Sequence, residues 1–211
     1  WSEKPVAYLG TYVKRGGRDY LSMDARPLWN YEEGETIRVV CYTNAEQAKL
    51  LLNGQQIGAV QNRDDKTGIL SWDLPFQAGK LEVLGMNKHA SVQCSFALET
   101  SGRPAVILAK PDVTTLKKGE VCQIEVQVTD DRNLPVVQSD DQITCRVEGP
   151  AKLLGLESGD MYNATYQKAP VQRVSGGRLV AYVQGNGDPG EVKVFFSAPW
   201  LYPAMVRLKI E

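Results

Sequence analysis

The sequence predicts an all-β protein built as two consecutive β-sandwich domains, residues 1–100 and 101–211. Three observations carry this. Apolar and polar residues alternate with a period of two in many short runs. Gly, Asn, Asp and Pro separate those runs at the intervals expected of turns. No segment sustains the 3.6-residue apolar stripe of an amphipathic helix, so helix content is expected to be very low.

In the first half, residues 36–43 place Ile37, Val39 and Cys41 on one face. Residues 49–52 run into Asn53-Gly54, a strong hairpin signal because both central residues of a type I′ turn need positive φ. Residues 55–60 are the returning strand. Residues 69–74, closed by Pro75, then 80–86 and 90–98 with a turn at Asn87-Lys88, suit a sandwich of about seven strands. Residues 99–104 (ETSGRP) break the rhythm and form the linker candidate. Strands are then expected near 105–109, 120–129, 142–147, 178–184, 191–197 and 204–210. The clearest sets Cys122, Ile124, Val126 and Val128 inward against Gln123, Glu125 and Gln127, the mark of a sheet with one buried and one wet face. The turn at 130–134 has Asp and Asn side chains available for local backbone bonds.

Composition narrows the function. The chain has 211 residues, 43% of them hydrophobic, enough for two cores and too apolar for disorder. Lys and Arg number 24 against 25 Asp and Glu, so no long-range field draws the chain to nucleic acid or an anionic membrane. No run of about 18 apolar residues exists, and membrane insertion is not expected. The leading Trp1-Ser2-Glu3-Lys4-Pro5 lacks an initiator Met and a leader pattern. It reads as a cut from a longer chain whose export signal lies upstream.

Catalytic chemistry finds no foothold. His89 is the sole histidine and falls in a hairpin turn, without a nucleophile motif around it. The acidic pairs Asp64-Asp65, Asp130-Asp131 and Asp140-Asp141 lie in polar turns, where carboxylates are expected to face water. Adjacent strand residues also point to opposite faces, so no pair could present two carboxyls across one sugar. The Gly-rich segments 155–160 (GLESGD) and 185–190 (GNGDPG) precede no helix and read as turns rather than phosphate cradles. The four cysteines form no C-x-x-C pair, and neither a metal nor a cofactor is expected. They read as buried thiols, with a sandwich-spanning Cys41–Cys94 disulfide around Trp72 as the alternative. Trp29, Tyr31 and Trp200 are the candidates for carbohydrate contact or for packing against a neighbouring domain. Trp72 alternates within ILSWDLP and is expected in the core.

A group of motifs is more specific. Pro27-Leu28-Trp29-Asn30-Tyr31 followed by Glu33-Gly34-Glu35, then Tyr42-Thr43-Asn44-Ala45, Leu50-Leu51-Leu52-Asn53-Gly54 and Trp72 through Pro75 stand in the first half. Pro104 through Leu108, Val147 through Pro150 and Gly155 through Asp160 stand in the second. In these the chain resembles the region that follows the catalytic barrel in bacterial β-galactosidase-like enzymes of glycoside hydrolase family 2. Trp1–Pro5 resembles the segment leaving that barrel, whereas the stretch Gly10–Ala25 is longer and more basic than the family pattern. The resemblance implies two immunoglobulin-like sandwiches that are non-catalytic, because the catalytic glutamates of such enzymes sit on the barrel. It implies the barrel as partner, with glycan and a second copy of the chain as further candidate partners, and a periplasmic or extracellular location. A carbohydrate-binding module pair, or an adhesion or spacer pair at the cell surface, is the alternative function.

Overall fold

The computed structural model describes residues 3–16, 25–163, 166 and 168–211. Trp1 and Ser2 of the leading segment, and residues 17–24 of the long basic stretch, lie outside the described residues. The chain divides into two compact units, Trp1–Thr100 and Ser101–Glu211, and every regular element among the described residues is a strand. Among the described residues no helix is long and apolar enough to cross a membrane.

The first unit contains β1 (Ala7–Val13), β2 (Thr36–Thr43), β3 (Gln47–Leu52), β4 (Gln55–Asn62), β5 (Ile69–Pro75), β6 (Lys80–Met86) and β7 (Val92–Glu99). They form a three-stranded sheet, β1-β2-β5, and a four-stranded sheet, β4-β3-β6-β7, both antiparallel. Alternation decides which side chains meet. Leu9, Ile37, Val39 and Cys41 of one sheet share a core with Ala48, Leu50, Leu81 and Val83 of the other. Asn53 and Gly54 take φ values of 51° and 82°, the two left-handed positions that a two-residue hairpin loop demands.

The second unit contains β8 (Val106–Pro111), β9 (Thr115–Leu116), β10 (Val121–Thr129), β11 (Gln142–Glu148), β12 (Ala151–Glu157), β13 (Val171–Arg173), β14 (Arg178–Gly185), β15 (Gly190–Ser197) and β16 (Ala204–Ile210). Its sheets run β12-β14-β10-β8 and β13-β11-β15-β16-β9, antiparallel except where β16 meets β9. Cys122, Ile124, Val126 and Val128 all point into a core shared with Val192, Val194, Phe196 and Leu208.

Four strands escape the period-two pattern. In β1, Leu9, Gly10 and Thr11 are all buried in succession, which erases alternation. In β12 the apolar run KLLGL contains a bulge between Leu153 and Gly155, and a bulge breaks the two-residue phase. The strand therefore extends to Glu157, into a segment whose glycines read as a turn. β9 and β13 are too short to show a period.

Between the two units each flank of the break is tied inward. Thr100 donates its backbone N–H to the Gly79 carbonyl and its hydroxyl to the Trp29 carbonyl, both within the first unit. Gly102 donates to the Asp130 carboxylate in the second. Asp130 corrects the expectation of a water-facing acidic pair. It is fully buried and accepts the backbone N–H groups of Gly102, Arg132 and Leu134. Burial by itself would raise its pKa, yet those bonds and the Arg132 guanidinium at 3.3 Å hold it below the ordinary carboxylate value.

Candidate functional site

Trp29 belongs to the irregular segment between β1 and β2, where an aromatic side chain has no strand to dictate its direction. The fold turns it inward. Its ring is 1% exposed and packs edge-on against Phe76 and Tyr31, with centroids 5.2 and 6.2 Å away. The indole N–H donates to the Gln77 carbonyl at 3.1 Å, which satisfies its one polar atom. Tyr31 stands beside it with its hydroxyl 2.6 Å from the Thr11 hydroxyl. Burial pushes the Tyr31 phenol up, against the opposing Thr11 hydrogen bond. Trp29 and Tyr31 thus close one core, and Trp29 offers no free ring face on which a sugar could stack.

Trp200 is the opposite case. It lies in the connection from β15 to β16, 98% exposed, with Tyr202 at 74%. Its φ is 67°, a left-handed conformation that a bulky side chain rarely adopts. The residues beside it are held firmly. Leu201 is buried in the second core. Tyr202 donates its N–H to the Ala105 carbonyl at 2.8 Å and accepts from Ile107 at 3.0 Å, just where β8 begins. A strained, pinned backbone thus projects an indole into solvent, able to stack on a sugar face or to enter another protein's pocket.

A third feature comes from the wet face of the sheet β12-β14-β10-β8. The register places Glu125 opposite Lys110 on one side and Val180 on the other, and Val180 opposite Glu157. Lys110, Glu125, Val180 and Glu157 therefore make one row across all four strands. The next row pairs Gln123 with Tyr182, and Tyr182 with Gly155, so the ring's registered partner on β12 has no side chain. A groove of about 660 Å³ opens over the first row, bounded also by Asp112, Ser158 and Arg178. A hollow of about 460 Å³ continues past Glu157 to Tyr182 and Lys168. Arg178 donates to the Gln127 side chain and stands 3.9 Å from Glu125. The Asp112 carboxylate accepts from the backbone of Val113 and Gln123, and these bonds lower its pKa against the burial that raises it.

The remaining chemistry-bearing residues are structural or dispersed. His89 sits exposed in its turn, its backbone N–H bonded to the Asn87 side chain. Asp64 caps a turn through Lys66 and Thr67. All four cysteines are free, and burial pushes Cys41 and Cys145 up to about 12 and Cys122 to about 11. Such thiols are poor nucleophiles. Among the described residues no group of three or more His, Cys, Asp or Glu could hold a metal ion. Sequence reading missed Met161 and Tyr162, both about nine-tenths exposed beyond the 155–160 segment. The signal was there in a Met-Tyr pair outside any alternating run.

Residues 107–207 match glycoside hydrolase family 2 C-terminal domain 5, and residues 34–93 match a domain of unknown function (DUF4982). The chain is 25% identical over 188 residues to the β-galactosidase BoGH2A of Bacteroides ovatus, covering 88% of this chain and 22% of that protein. It therefore spans about a fifth of the length of this curated relative. Among solved structures, a β-glycosidase from Bacteroides vulgatus superposes with a TM-score of 0.86 at 23% identity, over 99% of this chain and 25% of that one. A glycosyl hydrolase family 2 member from Bacteroides cellulosilyticus gives 0.88 at 22%, over 100% and 29%. At these identities the structures establish a shared fold.

Proposed function

We propose that this chain, whose residues 107–207 match the C-terminal domain 5 of glycoside hydrolase family 2, is the non-catalytic accessory region of a bacterial β-galactosidase-like enzyme, supporting the catalytic barrel. One observation supports the reading most. The match to BoGH2A runs over 88% of this chain but only 22% of that protein, leaving ample length there for a separate catalytic domain. The scattered acids and the exposed turn histidine agree with it. The sandwiches are read as immunoglobulin-like, and the rigidly presented Trp200, with Tyr202, as the contact to the barrel. We further propose a periplasmic or extracellular location, where such an enzyme would meet polymeric glycans.

The test assays this chain alone on aryl β-galactosides, β-glucuronides and β-mannosides, beside the longer protein with and without this region. No turnover is expected from the chain alone, and removing it is expected to lower the activity or thermal midpoint of the longer protein. Turnover by the chain alone, abolished by replacing one carboxylate, would overturn the reading.

A carbohydrate-binding role is the second reading, favoured by the 98% exposure of Trp200 at a strained φ. A homo-oligomer contact through the same ring is its competitor, and sedimentation of wild-type and Trp200→Ala chains separates the two.

A further inference from the structure

The groove on the wet face of β12-β14-β10-β8 has no part in supporting a barrel through Trp200, and its chemistry is specific. Its boundary and that of the adjoining hollow carry three cations, Lys110, Lys168 and Arg178, and three carboxylates, Asp112, Glu125 and Glu157. Summed over the groove and the hollow these charges cancel, so the site as a whole has no net attraction for an anion or a cation. It does offer planar acceptors and donors in Glu125, Gln123 and Arg178. Between them lies a small apolar floor at Val180, and beyond Glu157 stands the Tyr182 ring opposite Gly155. A volume of about 660 Å³ lies in the usual range for small-molecule sites. Four strands at the usual spacing make the Lys110-to-Glu157 row roughly 14 Å long, about the reach of three linked sugars.

We propose that this groove binds an uncharged oligosaccharide segment, with the Glu125 carboxylate and the Gln123 amide hydrogen-bonding its hydroxyls and Tyr182 packing against a sugar face. Planar polar side chains around an apolar patch match a pyranose, which presents hydroxyls at its rim and C–H groups on its faces. A charged ligand would leave half of the groove's charges opposed and desolvated. The choice of sugar as ligand rests on the reading that the parent enzyme acts on glycans. The geometry of the groove does not.

The experiment titrates the 211-residue chain with β-1,4-galactotriose, cellotriose and xylotriose, and with trigalacturonate as a charged control, by calorimetry. At least one neutral trisaccharide is expected to saturate with a Kd on the order of 1 mM, and trigalacturonate is expected to bind at least several-fold more weakly. Gln123→Ala and Glu125→Ala, both on the solvent face, are expected to weaken that binding by about tenfold, the loss of one hydrogen-bonding group. His89→Ala, in an exposed turn of the first unit, is expected to leave it unchanged. Failure of all three neutral sugars to saturate at roughly 10 mM, or binding indifferent to both groove variants, overturns the proposal. The accessory-region reading is judged separately, by aryl-glycoside turnover that needs no groove.

Discussion

At the scale of single residues, two tryptophans show how little residue type decides by itself. Trp29 is a core plug with its indole N–H satisfied, whereas Trp200 is almost wholly solvated on a strained backbone. Trp29→Ala is expected to destabilise the first unit by about 3–5 kcal/mol, the usual range for an aromatic cut from a packed core. Trp200→Gly is expected to be neutral or stabilising by up to about 1 kcal/mol, because it relieves the left-handed strain and forfeits almost no packing. Urea unfolding of both variants, followed by far-UV circular dichroism, checks the contrast. Asp73 supplies the pH dependence. It accepts from the Arg38 guanidinium at 2.7 and 2.8 Å and from Lys14 at 2.6 Å. The Arg38 bond, outweighing partial burial and joined by Lys14, lowers its pKa to about 2. A carboxylate lowered in the folded state binds fewer protons there than in the unfolded chain. Its contribution is therefore complete above its ordinary pKa of about 4 and is lost as pH falls toward 2. The urea midpoint of the first unit should drop over that window, and Asp73→Asn should flatten the drop.

At the scale of elements, the β3–β4 hairpin is coupled to the turn before β6. The Asn53 side chain accepts the Lys80 N–H at 2.9 Å and donates to the Ala78 carbonyl at 3.1 Å. It occupies the space beside Gly79, whose φ is 133° and where an added Cβ would fall 1.8 Å from the Asn53 amide oxygen. Gly79→Ala is thus expected to destabilise by about 2–4 kcal/mol through clash and backbone strain, and Asn53→Ala by about 1–2 kcal/mol. The double variant should cost clearly less than the sum, since removing the Asn53 side chain removes the clash. A four-corner unfolding cycle measures it; strict additivity would show that the two turns do not touch. The Asn-Gly turn was legible in the sequence because its φ requirement is local. Its partner at Gly79 was not, since 25 intervening residues must fold before the two meet.

At the scale of the whole chain, each unit closes its own core, the first around Leu50, Trp72 and Val83, the second around Ile124, Val194 and Phe196. Phe196→Ala is expected to cost the second unit about 3–5 kcal/mol. Trp29 and Trp72 are buried in the first unit while Trp200 is already in water, so tryptophan fluorescence follows the first unit. In the Phe196→Ala chain, circular dichroism should therefore begin to change at lower urea than fluorescence does. Coincident curves would mean that the chain unfolds as one cooperative body.

The sequence by itself determined the all-β class, the strands that alternate cleanly, the Asn53-Gly54 hairpin and the inward set of β10. Each follows from a local rule of period or dihedral angle. Tertiary structure alone decided the burial of Trp29 and Asp130, the exposure of Trp200, and the row of Lys110, Glu125, Val180 and Glu157. A side chain in an irregular segment takes its direction from whatever packs against it. A groove across four strands depends on register between residues up to 55 positions apart (Glu125 and Val180), set by β10, β14 and β12 lying side by side. No periodicity within one strand carries that information.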